Sequence, residues 1–138
     1  MKHHRVVITQ TTKQREEIVN ITREVEKAVR GSGIREGLCL VFPHHTSSAV
    51  FLTDSDESVA LDLADVLQKC APAGAGYRHD ENDYKKNADG HIKAAMLGHH
   101  ICLPVSDGQL DFGAYQTVYY AEFDGQRPKE ILIKIIGA

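Results

Sequence analysis

Histidines in three separate segments of this chain are placed to act together as metal ligands. His44 and His45 follow an apolar segment, His79 lies in a long polar segment, and His91 lies near the start of a short predicted helix. Three imidazoles that come from separate elements and leave a fourth position open form the usual catalytic zinc site. Imidazole also suits zinc better than it suits magnesium. A surface or hydrogen-bonding role is the alternative for each residue, because the chain has no H-x-x-x-H or H-E-x-x-H pattern.

The acidic residues near these histidines have two interpretations each. Asp89 either orients a ligating imidazole or caps the helix that follows it. Glu122 and Asp124 stand two residues apart at the end of a predicted strand. They form either an acid pair on one face or part of a solvated turn.

Three further residues have donors that suit an anion. The forked donors of Arg127 hold either a phosphate or an exposed carboxylate. Thr46 and Ser47 offer hydroxyls to an anion, or simply lie at a strand edge. No P-loop, G-x-G-x-x-G or G-x-S-x-G motif accompanies them.

The composition fits one globular domain over residues 1–138. Hydrophobic residues make up 42% and charged residues 25% of the chain, which are ordinary globular values. A net charge of −3 argues against a nucleic-acid partner. No apolar stretch approaches the roughly 20 residues needed to span a membrane, and the N-terminus lacks the apolar segment of a signal peptide. The odd number of cysteines predicts no disulfide framework, and Cys39 and Cys102 are interpreted as core residues. We therefore expect a cytoplasmic protein.

Strands and short helices follow one another in a pattern that predicts an α+β fold with a packed mixed sheet and about three helices. Apolar runs over 37–43 and 48–53 predict strands covered on both faces. Residues 114–123 and 131–136 predict a hairpin, and 16–21 predicts either a strand or the start of a helix. The long polar segment 76–90 is of a kind that is often functional. Helices are predicted over about 22–31, from a cap at Ser55 or Asp56 to Pro72, and over 88–97.

Five ordered segments carry a resemblance to a known family: Pro43-His44-His45-Thr46-Ser47-Ser48-Ala49, Tyr77-Arg78-His79, Asn87-Ala88-Asp89-Gly90-His91-Ile92-Lys93, Leu103 to Gly113, and Glu122-Phe123-Asp124-Gly125-Gln126-Arg127. They resemble motifs of the YjbQ-like (UPF0047) proteins at compatible spacing. The sequence differs from the family pattern at Gln126, where proline is usual, at Tyr115-Gln116, where tryptophan is common at the first position, and at His99-His100. The histidine pair is interpreted as a surface feature or an added ligand.

The resemblance implies a homotrimer with a pocket between subunits, where His45, His79 and His91 bind a divalent metal. Zinc is the favoured ion, and magnesium is the alternative if the substrate is a diphosphate. It also implies weak thiamine-phosphate synthase activity, which joins hydroxymethylpyrimidine diphosphate to thiazole phosphate and releases pyrophosphate. The expected catalytic set is Asp89, Lys93, Glu122 and Arg127, and the expected ligand-binding set is Thr46, Ser47 and Gln116.

Two other functions use the same residues. A zinc-dependent hydrolase would use a metal-bound water, with Asp89 or Glu122 as the base. A non-enzymatic binding protein would use the metal only to stabilise the trimer. A small phosphorylated molecule is the expected small-molecule ligand of the protein.

Overall fold

The computed structural model describes residues 1–138 as two antiparallel sheets packed face to face, with two helices on the outer face of the smaller sheet and one helix against the core between the sheets. The elements are β1 (Lys2–Gln10), β2 (Glu17–Asn20), α1 (Thr22–Ser32), β3 (Gly37–Pro43), β4 (Ser48–Asp54), α2 (Glu57–Cys70), α3 (Arg78–Asn82), α4 (Ala88–Leu97), β5 (Ile101–Ser106), β6 (Gln109–Leu110), β7 (Gln116–Glu122) and β8 (Lys129–Gly137). This arrangement confirms the α+β class. None of the helices is long and apolar enough to cross a membrane.

The larger sheet has the strand order β1-β8-β3-β5-β6, and the smaller has the order β2-β7-β4. Side chains alternate along β8, so that Ile131, Ile133 and Ile135 point into the core while the residues between them are more exposed. Facing them from the smaller sheet are Val50 and Tyr120. The main core therefore lies between the two sheets.

The other face of the smaller sheet is covered by α2 and α4. Phe51 and Tyr119 from the sheet pack with Leu67 of α2 and Ala94 of α4 in a second apolar cluster. The strand β4 is accordingly buried on both faces over its first four residues, as its apolar sequence predicts. Asp56 caps α2 by accepting a hydrogen bond from the Ser58 N–H at 3.1 Å, which confirms one of the two predicted caps.

The predicted hairpin between β7 and β8 is wrong. Both strands form at the expected places, but β7 pairs with β2 and β4, whereas β8 pairs with β1 and β3. The link between them passes from one sheet to the other. Short chain separation favoured a hairpin, but the two strands bury their apolar faces against each other across the core instead.

The expectation that β3 is covered on both faces is also wrong for the single chain. Leu38 is 48% exposed and Phe42 is 38% exposed on the outer face of the larger sheet. Cys102 pairs with Leu40 on this face and is exposed, so its interpretation as a core residue is wrong. Cys39 is buried as predicted, and burial raises the pKa of its thiol to about 12. No helix covers this outer face of the larger sheet. The apolar sequence of β3 therefore does not indicate a strand that is buried on both faces within one chain.

Candidate functional site

A cavity of about 200 Å³ lies where three connections meet. The turn between β3 and β4 contributes His45, Thr46 and Ser47. The first turns of α4 contribute His91, and the link between β7 and β8 contributes Arg127. The three connections come from distant parts of the sequence, and the crossing from β7 to β8 brings them together.

The cavity wall has an excess of positive charge. Lys85, Arg127 and Lys129 line it with two carboxylates, Asp83 and Asp124. Three cations and two anions leave one net positive charge before the imidazoles are counted. The Glu122 carboxylate behind the wall offsets this charge, so the suitability of the cavity for an anion rests on its ammonium and guanidinium donors.

His45 lies in the turn between β3 and β4, and one of its ring nitrogens already accepts a hydrogen bond. Its Nε2 accepts the backbone N–H of Glu130 at 3.0 Å. A neutral ring that accepts at Nε2 carries its proton on Nδ1. Burial lowers the pKa of the His45 imidazole below its ordinary value, and the neighbouring Lys129 charge lowers it further, against a smaller opposing effect of Glu122. His45 is therefore held neutral with no lone pair free for a metal.

His79 and His91 lie beside each other, with ring centroids 5.0 Å apart and planes at 81°. Nε2 of His79 is 3.0 Å from Oδ1 of Asn87, whose amide Nδ2 donates to Asp124 at 2.9 Å. This fixes the Asn87 amide, so Nε2 of His79 is the donor. Nδ1 of His91 is buried and has no hydrogen-bond partner. An unsatisfied buried nitrogen is costly and needs an explanation.

These donors do not fit the predicted three-histidine metal site as the structure arranges them. His91 offers a free nitrogen and His79 retains the Nδ1 lone pair, but His45 is committed to Glu130. No group of three or more His, Cys, Asp or Glu side chains is arranged to hold an ion. A three-imidazole site requires His45 to give up its hydrogen bond.

Arg127 is held by Asp124 at the edge of the cavity. Its Nη2 donates to Oδ2 of Asp124 at 2.9 Å, and the remaining guanidinium N–H groups have no protein acceptor. Burial alone would raise the pKa of Asp124, but hydrogen bonds from Asn87 and Arg127 outweigh it and hold the pKa below its ordinary value. Asp124 is thus a permanent anion that orients Arg127 and Asn87.

Glu122 lies behind the cavity wall and does not line it. The carboxylate is 1% exposed and is 3.0 Å from the Lys129 ammonium. It also accepts hydrogen bonds from the Tyr120 hydroxyl at 2.6 Å and the Asp124 N–H at 3.1 Å. Burial and the bond to Glu122 raise the pKa of Tyr120 far above its ordinary value. Glu122 therefore acts on the cavity through Lys129.

Asp89 and Lys93, both predicted as catalytic, lie in a separate buried network. The Lys93 ammonium is 2.9 Å from Glu16 and 3.3 Å from Asp89, and Asp89 also accepts from Arg15 at 3.1 Å. Burial would raise the pKa of Asp89, but Arg15 and Lys93 outweigh it and hold the pKa low. Neither residue lines the cavity or forms a hydrogen bond with a histidine. The i, i+4 spacing puts both on the face of α4 that packs against the segment before β2.

Gln116 is distant from the cavity. It begins β7 opposite Asp54, whereas Glu122 ends the same strand opposite Ser48. A strand of this length is roughly 20 Å long. The Gln116 side chain accepts the Gly113 N–H at 2.6 Å. Within one chain Gln116 therefore has no part in the cavity.

Lys129 and Asn87 are cavity residues that the sequence analysis missed. Lys129 occupies the first inward position of β8, in phase with Ile131, Ile133 and Ile135. The sequence signal for Lys129 is a lysine at an inward-facing position of a strand whose other inward positions are apolar. Such a lysine is buried, and a buried ammonium requires a partner. Asn87 lay inside a recognised motif without an assigned role.

Comparison with known proteins agrees with the fold and the motifs. Residues 6–138 match the family model described as UPF0047 protein YjbQ-like. A UPF0047 protein of Archaeoglobus fulgidus is 36% identical over 94% of this chain and 98% of its own length. The UPF0047 protein YugU of Bacillus subtilis is 30% identical over 91% of this chain and 94% of its own.

Solved structures show the same architecture. A YbjQ-like protein of unknown function from Sulfolobus solfataricus has a TM-score of 0.94 and 30% identity, covering 99% of both chains. A conserved hypothetical protein from Thermus thermophilus has a TM-score of 0.82 and 34% identity, covering 95% of this chain and 99% of its own. The chain therefore belongs to the YjbQ-like UPF0047 family.

Proposed function

We propose that this protein binds a small phosphorylated molecule in the cationic cavity and catalyses, weakly, the transfer that forms thiamine phosphate. The single observation that carries the proposal is the convergence of Arg127 and Lys129 with the hydroxyls of Thr46 and Ser47 around one small cavity. Ammonium, guanidinium and hydroxyl groups are the donors that phosphate oxygens accept.

The chemistry requires stabilisation of a departing pyrophosphate. In the synthase reaction the bond from the pyrimidine methylene carbon to a diphosphate oxygen breaks, and a bond from that carbon to the thiazole nitrogen forms. Negative charge therefore grows on the leaving group. Fixed cations stabilise such charge without reorganising during the reaction. Lys129 and Arg127 are suited to this role because Glu122 and Asp124 hold them in place.

The size of the cavity supports a weak activity. About 200 Å³ is smaller than the roughly 300–1,000 Å³ of typical small-molecule sites. In this proposal the cavity of one chain holds the phosphate end of a substrate, and the rings lie at its opening. Poor enclosure of two substrates lowers the gain from holding them in a reactive arrangement.

Complementation of a strain that lacks its main thiamine-phosphate synthase tests the proposal. We expect the parent to restore growth without thiamine and the Arg127→Ala and His91→Ala variants to fail. His100→Ala is the matched control, because His100 is an exposed histidine outside the cavity. Equal rescue by Arg127→Ala, His91→Ala and the parent would refute a role for this cavity in the synthase activity.

A zinc-dependent hydrolase is the second candidate. The unpartnered Nδ1 of His91 and the adjacent His79 ring favour it. It requires His45 to release Glu130 and supply the third imidazole. Elemental analysis of protein purified after zinc is supplied tests this candidate, and a panel of phosphate and carboxylic esters then tests hydrolysis. Less than a tenth of an equivalent of metal per chain would remove it, and would also remove the metal-stabilised assembly protein.

A homotrimer formed through the outer face of the larger sheet is part of the proposal. Leu38, Phe42 and Ile136 leave apolar surface exposed on this face. Contiguous exposed apolar surface marks contact sites. Light scattering on the purified protein, with and without a chelator, tests the stoichiometry and any metal requirement. We propose the cytoplasm as the compartment of the protein, where thiols such as the three unpaired cysteines stay reduced.

A further inference from the structure

The ammonium group of Lys129 is buried at the cavity wall with one donor to spare. The side chain is 3% exposed and its Nζ donates to Glu122 at 3.0 Å and to the Ser47 hydroxyl at 3.3 Å. A lysine ammonium has three N–H donors. The third has no protein acceptor.

Ser47 is in a similar position. Its Oγ accepts from Lys129 and makes no other side-chain hydrogen bond, so the hydroxyl hydrogen is free to donate. The residue is 4% exposed and also lines the cavity. Two buried, adjacent groups are therefore present at one wall, and each has one hydrogen left to donate.

Glu122 holds the Lys129 ammonium in place and has no lone pair left for its third N–H. Its Oε1 accepts from Tyr120 at 2.6 Å and from Ser48 at 3.4 Å, and its Oε2 accepts from Lys129 and from the Asp124 N–H. Four donors occupy the carboxylate. A buried ion pair is favourable only when additional hydrogen bonds satisfy the remaining lone pairs, and this arrangement meets that condition.

We propose that Lys129 and Ser47 form the oxyanion subsite of the cavity, which takes the terminal phosphoryl group of a phosphate ester, with Glu122 and Tyr120 as positioning residues. The inference rests on the proposed function, because it names the residues that hold the phosphorylated ligand. Arg127 closes the subsite from the exposed side.

Inorganic phosphate is the probe, measured by isothermal titration calorimetry at low ionic strength. We expect the parent to bind phosphate and Lys129→Met to bind it roughly tenfold to hundredfold more weakly, as expected for loss of a charged hydrogen bond. Lys93→Met is the matched control: it removes another buried, ion-paired lysine that does not line the cavity. This control is expected to lose stability and keep phosphate affinity within about twofold.

The double variant Glu122→Gln/Lys129→Met guards against misfolding of the single variant, because it leaves no unpaired buried charge. It is expected to fold and to bind phosphate as weakly as Lys129→Met. Parent-like affinity in either folded Lys129 variant, or no phosphate binding by the parent, would overturn the subsite. Loss of phosphate binding in these variants, together with no thiamine phosphate formed by the parent, would leave the subsite standing and reject the synthase activity alone.

Discussion

Replacing Asp89 with asparagine tests whether this residue serves catalysis or holds α4 in place. Asp89 is fully buried and bonded to Arg15 and Lys93. Removing one member of a buried ion pair costs roughly 3–5 kcal/mol. The lower end applies, because Lys93 retains Glu16 and Gln68 as partners and Arg15 is partly exposed to water.

The cost converts into a shift in melting temperature. Unfolding entropy of about 2.1 cal/mol/K per residue gives about 0.3 kcal/mol/K for 138 residues, so a loss of about 3 kcal/mol lowers the midpoint by about 10 °C. Asp65→Asn is the matched control, since Asp65 is an exposed helical aspartate with no ion pair. It is expected to change the free energy of unfolding by less than about 0.5 kcal/mol.

The pH dependence of this difference has a definite sign. The folded pKa of Asp89 is lowered, so its contribution to stability is complete above the unfolded pKa of about 3.9 and is lost as the pH falls through the folded pKa. Chemical denaturation at pH 7 and pH 3 should therefore show the parent and Asp89→Asn approaching each other at the lower pH. An unchanged melting temperature together with lost phosphate binding would refute the structural role and return Asp89 to the catalytic set.

Three further perturbations probe the elements around the cavity. Gly90→Ala should destabilise the protein by roughly 1–3 kcal/mol in thermal denaturation, because the added Cβ would lie 3.1 Å from the Cβ and carbonyl oxygen of Phe123; a gain in stability, as helix propensity alone predicts, would contradict this close packing. The His45 imidazole should titrate below pH 6.5 by NMR, because burial and the nearby lysine lower its pKa; a midpoint above 6.5 would contradict the assigned surroundings. Tyr120→Phe should cost roughly 1–3 kcal/mol in denaturant unfolding, since the buried Glu122 carboxylate loses its 2.6 Å donor; a cost near zero would mean that water replaces the hydroxyl.

The sequence correctly located most elements because their signals are local. The helix over about 22–31 appears as Thr22–Ser32, and that over 88–97 appears as Ala88–Leu97. Each ends in a glycine with positive φ, at Gly33 and Gly98. The ambiguous segment 16–21 contains the strand β2, which forms by pairing with β7. The local sequence could not predict this strand, because its partner lies about 100 residues further along the chain.

The resemblance and the histidine pattern grouped residues that the fold divides between different places. His45 and His91 do line one cavity, and His79 lies beside His91. Asp89 and Lys93 are close to His91 in sequence, yet helical geometry turns them to another face. Gln116 is in the same strand as Glu122 but at its far end.

By itself the sequence determined the α+β class, the places of most helices and strands, and the family, because periodicity, caps and ordered motifs are properties of the linear chain. Only the tertiary structure decided that β7 and β8 belong to different sheets and that Lys129 meets Glu122 and Ser47 beside the cavity. Which way a side chain points, and whether a buried charge finds a partner, depend on contacts between segments far apart in the chain.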